Sequence, residues 1–202
     1  MKCRRIYVLL IGVLLLALGA FLFYHTSRAV AETPIYKVIR TDAQVQIRDY
    51  PALRVAITPI KTRGFHASFD QLSRFIRGDN EGAQKIATTT PVLIDFRTDK
   101  RTMSFIMPKT TVEKGVPKPL GDKVTLGEIP AARYAVMRFA GKHKITNEKA
   151  AVAKLNAWLS EQKLTGVGDP LIAYYDPPWT PVFLRRNEVL IRIIDNQNSA
   201  RL

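Results

Sequence analysis

The stretch DYPALRVA at residues 49–56 closely resembles EIPAARYA at residues 128–135. Both copies follow the pattern acidic–x–Pro–Ala–x–Arg–x–Ala, and the second begins 79 residues after the first. Each copy leads into a strand-like run, at 54–60 and 133–139, and each run is followed by a glycine and a helical pattern. A period of this length that occurs only twice does not suit a solenoid. The sequence therefore predicts a duplicated unit.

The two predicted helices carry matching apolar stripes. The residues Leu72, Phe75 and Ile76 of the first recur as Leu155, Trp158 and Leu159 of the second, at a constant spacing of 83 residues. Asn147 is placed to serve as the N-cap of the second helix.

Two further strand signals close each half, at 92–95 and 103–107 and then at 171–175 and 189–194. Each half alone would expose the apolar face of its strands. The predicted fold is therefore α+β: two strand–helix–strand–strand units that form a distorted antiparallel β-barrel or sheet with two helices.

The chain of 202 residues carries 31 Lys and Arg against 17 Asp and Glu, a formal charge of +14. Its single cysteine, Cys3, excludes an internal disulfide and any cysteine-cluster metal site. There is no Gly-rich phosphate loop, GxSxG elbow or CxxCH haem-attachment motif. Composition thus disfavours the common motif-driven enzyme classes.

Residues 6–24 form an uncharged apolar run of 19 residues, preceded by three cations and followed by Arg28. As a helix this run would be about 28 Å long, close to the thickness of the hydrocarbon core of a bilayer. The flanking charges predict a cytoplasmic N-terminus and a translocated remainder. Two readings stay open: an uncleaved signal anchor, or a signal peptide cleaved after Ala31. The domains are accordingly a leader at 1–31 and a periplasmic or cell-surface domain at 32–202, which is secreted if the leader is cleaved.

The predicted extracytoplasmic domain keeps 27 cationic residues against 17 acidic ones. This basic character, in that compartment, favours anionic lipid head groups or a ligand with carboxylates as partners, and disfavours nucleic acid.

Four segments in order resemble the SOUL haem-binding family. They are Gly78-Asp79-Asn80 with Lys85-Ile86-Ala87, then Thr89-x-Pro91-Val92, then Met103-Ser104-Phe105-Ile106-Met107-Pro108, and finally Tyr174-Tyr175-Asp176-Pro177-Pro178-Trp179 with Arg185-Arg186-Asn187-Glu188-Val189. The resemblance spans residues 35–194. It implies a barrel-like α+β fold that binds haem or a related tetrapyrrole non-covalently, in a shallow apolar cleft beside the first helix and the Pro-Pro loop.

A tetrapyrrole with propionates requires an apolar wall and cations at its rim. On the first helix, Phe69 and Ser73 are predicted at one flank of the apolar stripe, with Arg74 and Arg77 facing outward. Trp179 is the candidate for an opposing aromatic wall. These five residues form the predicted cofactor site.

Three histidines are candidates for an iron ligand. His66, at the start of the first helix, is the one placed to reach an iron, whereas His25 lies beside the apolar run and His143 is expected in an exposed loop. No spacing selects an axial ligand, so apolar contact and propionate pairing are expected to dominate.

Two functions without catalysis remain open. The first is haem or tetrapyrrole binding by a membrane-anchored extracytoplasmic domain, and the second is a ligand-sensing or protein-interaction module that does not bind haem. Tyr174 or Tyr175 with Glu188 could be imagined as acid and base, but no nucleophile–base–orienter set is recognisable. The expectation is a protein that is not an enzyme.

Overall fold

The structure is a computed structural model, which describes residues 7, 10–16, 18–19, 31–61, 64–97, 100–177 and 179–194. Its chain divides into two compact units, Met1–Glu32 and Thr33–Leu202. Residues 10–16 and 18–19 of the first unit are helical. No helix within the described part of the chain is long and apolar enough to cross a membrane. Much of the apolar run predicted at residues 6–24 lies outside the described residues.

The second unit contains nine strands and three α-helices among its described residues. In chain order these are β1 (Lys37–Asp42), β2 (Val45–Tyr50), β3 (Leu53–Pro59), α1 (Gly64–Arg77), β4 (Val92–Asp95), β5 (Thr102–Ile106), α2 (Lys109–Lys114), β6 (Thr125–Ile129), β7 (Ala132–Phe139), α3 (Ile145–Glu161), β8 (Thr165–Tyr174) and β9 (Asn187–Ile194). Two single-turn 3₁₀ helices, Glu81–Ala83 and Val182–Leu184, lie in the loops.

The strands form one antiparallel sheet in the order β1-β2-β7-β9-β8-β4-β5-β3-β6. Apart from β1, the order is symmetric about the β4–β8 pair: β9, β7 and β2 follow on one side, and their counterparts β5, β3 and β6 follow on the other. The two halves exchange one strand each, because β2 pairs with β7 and β6 pairs with β3. The predicted duplication is thus visible in the sheet, whose terminal strands β1 and β6 do not pair with one another, so the sheet is open and not a barrel.

Strict alternation along the strands creates two apolar layers. On β7, Ala135 and Met137 join the larger cluster, whereas Tyr134 and Val136 join the smaller one on the opposite side. The larger cluster is covered by α1 and α3, which contribute Leu72, Phe75, Ile76, Leu155 and Leu159. The smaller cluster consists of strand residues alone: Tyr50, Val55, Leu93, Ile106, Tyr134, Val136, Ala173 and Leu190. Both faces of the sheet therefore bury apolar side chains.

Helix α3 begins differently from the prediction. Its N-cap is Lys144, without a side-chain capping bond, and Asn147 lies within the helix. The Asn147 amide instead donates to the Lys142 carbonyl oxygen at 3.0 Å. Gly141 (φ +122°) leaves room for this contact, because a Cβ at that position would lie 2.7 Å from the Asn147 amide nitrogen.

Candidate functional site

The predicted binding flank lies on α1, whose apolar stripe packs Leu72, Phe75 and Ile76 against the sheet. Phe69 lies at the edge of this stripe, and 42% of the residue is exposed. Its ring contacts Phe105 of β5 edge-on, with ring centroids 5.3 Å apart and planes at 68°. An exposed aromatic ring that rests on a buried one offers a ligand a firm apolar surface.

The two predicted rim cations are exposed on the last turns of α1. The Arg74 Nε lies 3.9 Å from Asp70 Oδ2, and the Arg77 Nη2 lies 3.7 Å from Asp70 Oδ1. The Arg77 Nε also donates to the carbonyl oxygen of half-buried Ser73 at 3.1 Å. Ion pairs that are this exposed contribute little to the stability of the fold. Both guanidiniums can therefore exchange Asp70 for a ligand carboxylate.

The predicted opposing wall, Trp179, lies in the loop between β8 and β9 and is 82% exposed. The loop is held by polar contacts: the buried Asp176 carboxylate accepts from the Arg186 backbone N–H, and the Arg185 Nε donates to the Thr180 carbonyl oxygen at 2.8 Å. Among the described residues, the aromatic contact of Phe69 is with Phe105 and none joins it to Trp179. The structure thus places Phe69, Ser73, Arg74 and Arg77 on one helix and Trp179 on a separate loop.

Of the two described histidines, His66 lies where it was predicted, at the start of the first helix, and His143 differs from expectation. His66 is exposed on the first turn of α1, whereas His143, predicted in an exposed loop, is half-buried. Its ring centroid lies 3.8 Å from that of Tyr174 and 5.3 Å from that of Phe65. Its Nε2 is buried and has no hydrogen-bond partner among the described residues. Burial, with the nearby Arg185 charge, lowers the pKa of His143 to about 4.

Tyr174 connects this corner to a buried carboxylate. Its hydroxyl donates to Glu148 Oε1, and the Arg101 Nη2 donates to Glu148 Oε2 at 2.6 Å. Burial and the Glu148 carboxylate raise the pKa of Tyr174 well above its usual value. The phenol therefore remains protonated and acts as a fixed donor.

Sequence reasoning missed an ion cluster around Glu188, which is fully buried in β9. Its carboxylate receives N–H bonds from the Arg48 Nη1 and Nη2 at 2.8 and 3.2 Å and from the Arg186 Nε and Nη2 at 3.0 and 2.8 Å. The Tyr175 hydroxyl adds a fifth bond at 3.0 Å. Burial alone would raise the pKa of Glu188, but these guanidiniums outweigh it and lower the pKa. The carboxylate is thus ionised and saturated with donors.

Beside this cluster, on the sheet face opposite α1 and α3, lies a second feature that sequence reasoning missed. A cleft of about 390 Å³, including the space at its open mouth, is lined by side chains such as Tyr50, Leu93, Tyr134, Leu171, Tyr175 and Leu190. We call it the strand-face cleft. The available signal was the continuous apolar run at residues 135–137 of β7 and 189–191 of β9, because successive side chains of a strand point to opposite faces of the sheet.

Solved structures of other proteins share this fold. The chain resembles the crystal structure of the EcmrR C-terminal domain at a TM-score of 0.54 and 11% identity, covering 80% of this chain and 99% of that one. It also resembles the crystal structure of a hydrolase from Listeria innocua at a TM-score of 0.53 and 10% identity, covering 77% and 94%. At such low identity both similarities concern the fold alone.

The search of curated proteins finds no match. The family model described as SOUL heme-binding protein matches residues 31–192, which include every described strand up to Arg192 of β9 and both long helices. The extent of this match settles the membership that the four sequence segments indicated. The chain belongs to the SOUL haem-binding family.

Proposed function

We propose that this protein binds haem or a related anionic tetrapyrrole non-covalently, on the flank of α1. The observation that carries the proposal is the exposed Phe69 ring seated on Phe105, on the helix that also presents Arg74 and Arg77. The apolar ring system of the ligand would lie against Phe69 beside Ser73. Its propionates would accept hydrogen bonds from the guanidiniums, which are charge-assisted donors suited to carboxylates.

The residues present fit this group without an assigned iron ligand. The His143 Nε2, in the corner where α1 begins, has no hydrogen-bond partner in the described part of the chain, but it is buried and so screened from solvent. His66 is exposed at the same end of α1. Haem would supply its own iron chemistry when bound. The protein's contribution in this proposal is apolar contact and charge pairing.

We propose binding without turnover, because the groups that could act as acid and base are already engaged. Tyr174 donates to Glu148, and Tyr175 donates to Glu188. Burial raises the pKa of both phenols well above the usual value. Because Glu188 accepts five hydrogen bonds, it is not available as a general base.

The compartment is part of the proposal. The apolar run at residues 6–24, with cations before it, supports a membrane-anchored protein whose second unit is periplasmic or at the cell surface. Mass spectrometry of the native protein distinguishes the anchor from a cleaved leader, because the chain would begin at Met1 in the first case and at Glu32 in the second. A reporter fused after residue 31 that is active only in the cytoplasm should remain inactive.

The binding test is a titration of the full-length protein with hemin, followed through the Soret band. Saturable binding with a shifted Soret maximum is expected. Metal-free protoporphyrin IX should bind with an affinity within about tenfold of hemin, because iron ligation is not required. Absence of saturable binding of both compounds would overturn the proposal and favour a ligand-sensing or protein-interaction module that does not bind haem.

A further inference from the structure

The strand-face cleft is separate from the α1 flank. Its lining residues come from strands and adjoining prolines and point away from both long helices, whereas Phe69 and Phe105 belong to the helix-covered side. Its free space of about 390 Å³ includes open solvent at the mouth, so the cleft is an open groove and not an enclosed cavity. Such a groove suits the face of a flat ligand.

Aromatic side chains give the strand-face cleft a preference for flat ligands. The rings of Tyr50 and Tyr134 meet edge to face, with centroids 5.8 Å apart and planes at 88°. The Tyr36 ring lies behind Tyr50 at 5.0 Å. Such preformed aromatic walls favour an aromatic ligand through stacked and edge-on contacts.

The charge behind these walls is positive. Two guanidiniums, Arg48 and Arg186, surround the single carboxylate of Glu188, and the Arg138 Nε lies 3.8 Å from the same carboxylate. Arg48 is connected to the lining through Tyr50, whose hydroxyl oxygen accepts from Arg48 Nη1 at 3.1 Å. Arg186 is connected through Tyr175, whose ring centroid lies 3.9 Å from the guanidinium carbon. The cluster therefore keeps an excess cationic charge in a region of low dielectric, where charge acts over several ångströms.

Acids at the cleft rim do not cancel this excess. Asp49, next to Tyr50, is paired with Arg133 at 2.7 Å, and Glu128, next to Ile129, faces Arg54 at 3.9 Å. Each of these two carboxylates faces a guanidinium, so neither presents an uncompensated negative charge to a cationic ligand. The lining includes Tyr134, whose hydroxyl is of a type that can donate to a ligand anion.

We propose that the strand-face cleft is a second binding site, which takes a small, flat aromatic molecule with one negative charge, such as a polycyclic aromatic carboxylate. Apolar contact with the tyrosines and leucines supplies the affinity, and the excess guanidinium charge selects the anion. This site is independent of tetrapyrrole binding on α1.

The test is isothermal titration calorimetry of the full-length protein with three probes that share one ring system: 1-pyrenecarboxylate, 1-pyrenemethanol and 1-pyrenemethylammonium. The carboxylate should bind at least tenfold more tightly than the ammonium, with the neutral alcohol between them. Equal affinities, tighter binding of the ammonium, or no binding of any probe would overturn the proposal.

Variants locate the site. Leu171→Trp fills the strand-face cleft and should weaken carboxylate binding at least tenfold, and Arg186→Gln should reduce the preference for anion over cation. Phe69→Ala is the matched control on α1 and should leave the carboxylate affinity unchanged. If circular dichroism shows that Leu171→Trp is unfolded, Ile129→Trp on the edge strand β6 serves the same purpose. Carboxylate binding that survives a folded filled-cleft variant, or that is lost in Phe69→Ala, would contradict the assignment.

The two binding proposals fail separately. Hemin affinity should be unchanged in Leu171→Trp, because that residue does not contact α1. If the wild type binds the pyrene carboxylate but not hemin, only the tetrapyrrole proposal is refuted. If it binds hemin but not the carboxylate, only the strand-face site is refuted.

Discussion

Asp49 and Arg133 form an ion pair that joins the two halves of the fold. Asp49 is the acidic position of the first repeated segment, and Arg133 is the basic position of the second. The Arg133 Nε and Nη2 donate to the two Asp49 carboxylate oxygens at 2.7 and 2.9 Å. The symmetry-related pair, Arg54 and Glu128, is separated by 3.9 Å. The acidic residue of each repeated segment thus faces the basic residue of the other segment. These contacts lie in the strand pairs β2–β7 and β3–β6, where the two halves exchange a strand.

This relationship predicts unequal coupling energies. The Arg133 hydrogen bonds, against a smaller opposing effect of burial, lower the pKa of Asp49, so its stabilising effect is present above pH 4 and is lost as the pH falls through that lowered pKa. Because both side chains are partly exposed, a double-mutant cycle with Asp49→Asn and Arg133→Gln should give about 0.5–1 kcal/mol in urea unfolding. The Arg54–Glu128 cycle is the control and should give less. A larger coupling for Arg54–Glu128 would contradict the geometry.

Removing the carboxylate of Glu188 should be severely destabilising. Glu188→Gln leaves the buried Arg48 guanidinium and its neighbour Arg186 without their counter-charge. Breaking a buried ion pair in this way costs about 3–5 kcal/mol. Chemical denaturation measures the loss, and Glu113→Gln, which breaks an exposed pair with Lys109, should change stability by less than about 0.5 kcal/mol. A Glu188→Gln variant as stable as this control would refute the role of the cluster.

His143 should make stability pH-dependent. Its pKa of about 4 lies below the usual 6.5, so the unfolded state binds more protons between these values and stability falls as the pH is lowered through that window. Because the ring is partly exposed, solvent screening should limit the effect to about 1–2 kcal/mol. Arg185 and His66 oppose protonation of the ring, and Asp176 favours it. Stability against urea, measured between pH 4 and 7, should depend less steeply on pH for His143→Phe than for the wild type. Equal slopes would contradict the burial of the ring.

Asp70 should oppose tetrapyrrole binding, because it is the carboxylate that both rim guanidiniums face. Asp70→Asn frees Arg74 and Arg77 and removes a repulsive charge beside Phe69, so hemin affinity should rise about 2- to 5-fold. The gain should shrink in raised salt. Conversely, Arg74→Ala should weaken binding roughly 2- to 30-fold. A hemin titration in which Asp70→Asn binds more weakly than the wild type would place the propionates elsewhere.

Local pattern predicted much of the fold. The runs that became β3, β7, α1 and α3 carry apolar residues at the period of their element, and their duplication predicted two equivalent halves. Strands β1, β2 and β6 were not predicted. β1 is largely exposed and β6 carries few buried side chains, so neither shows a clear alternation. In β2 the buried Arg48 interrupts the apolar pattern. Their pairing depends on neighbours supplied by the rest of the sheet.

The candidate sites were harder to predict, because their contacts join distant parts of the chain. Arg48 is a charged residue in a strand, which is typical of a solvent-facing position. It is nevertheless buried, because its guanidinium pairs with Glu188, which lies 140 residues away in the sequence. His143 lies in a Gly-Lys-His-Lys run that favours exposure, and only packing on Tyr174 and Phe65 buries it. The flank of α1 was accessible to prediction because its residues share one helix.

The most direct test of tetrapyrrole binding is the hemin affinity of Phe69→Ala, measured by Soret titration beside Phe183→Ala. Phe183 is the matched control, since it is an exposed phenylalanine in the β8–β9 loop. Loss of a phenyl ring that is covered by the ligand corresponds to about 1.5–3 kcal/mol, so Phe69→Ala should weaken binding at least about tenfold. His66→Ala should leave the affinity and the Soret position nearly unchanged. Full affinity in Phe69→Ala, with a collapsed Soret band in His66→Ala, would contradict binding on the α1 flank through apolar contact.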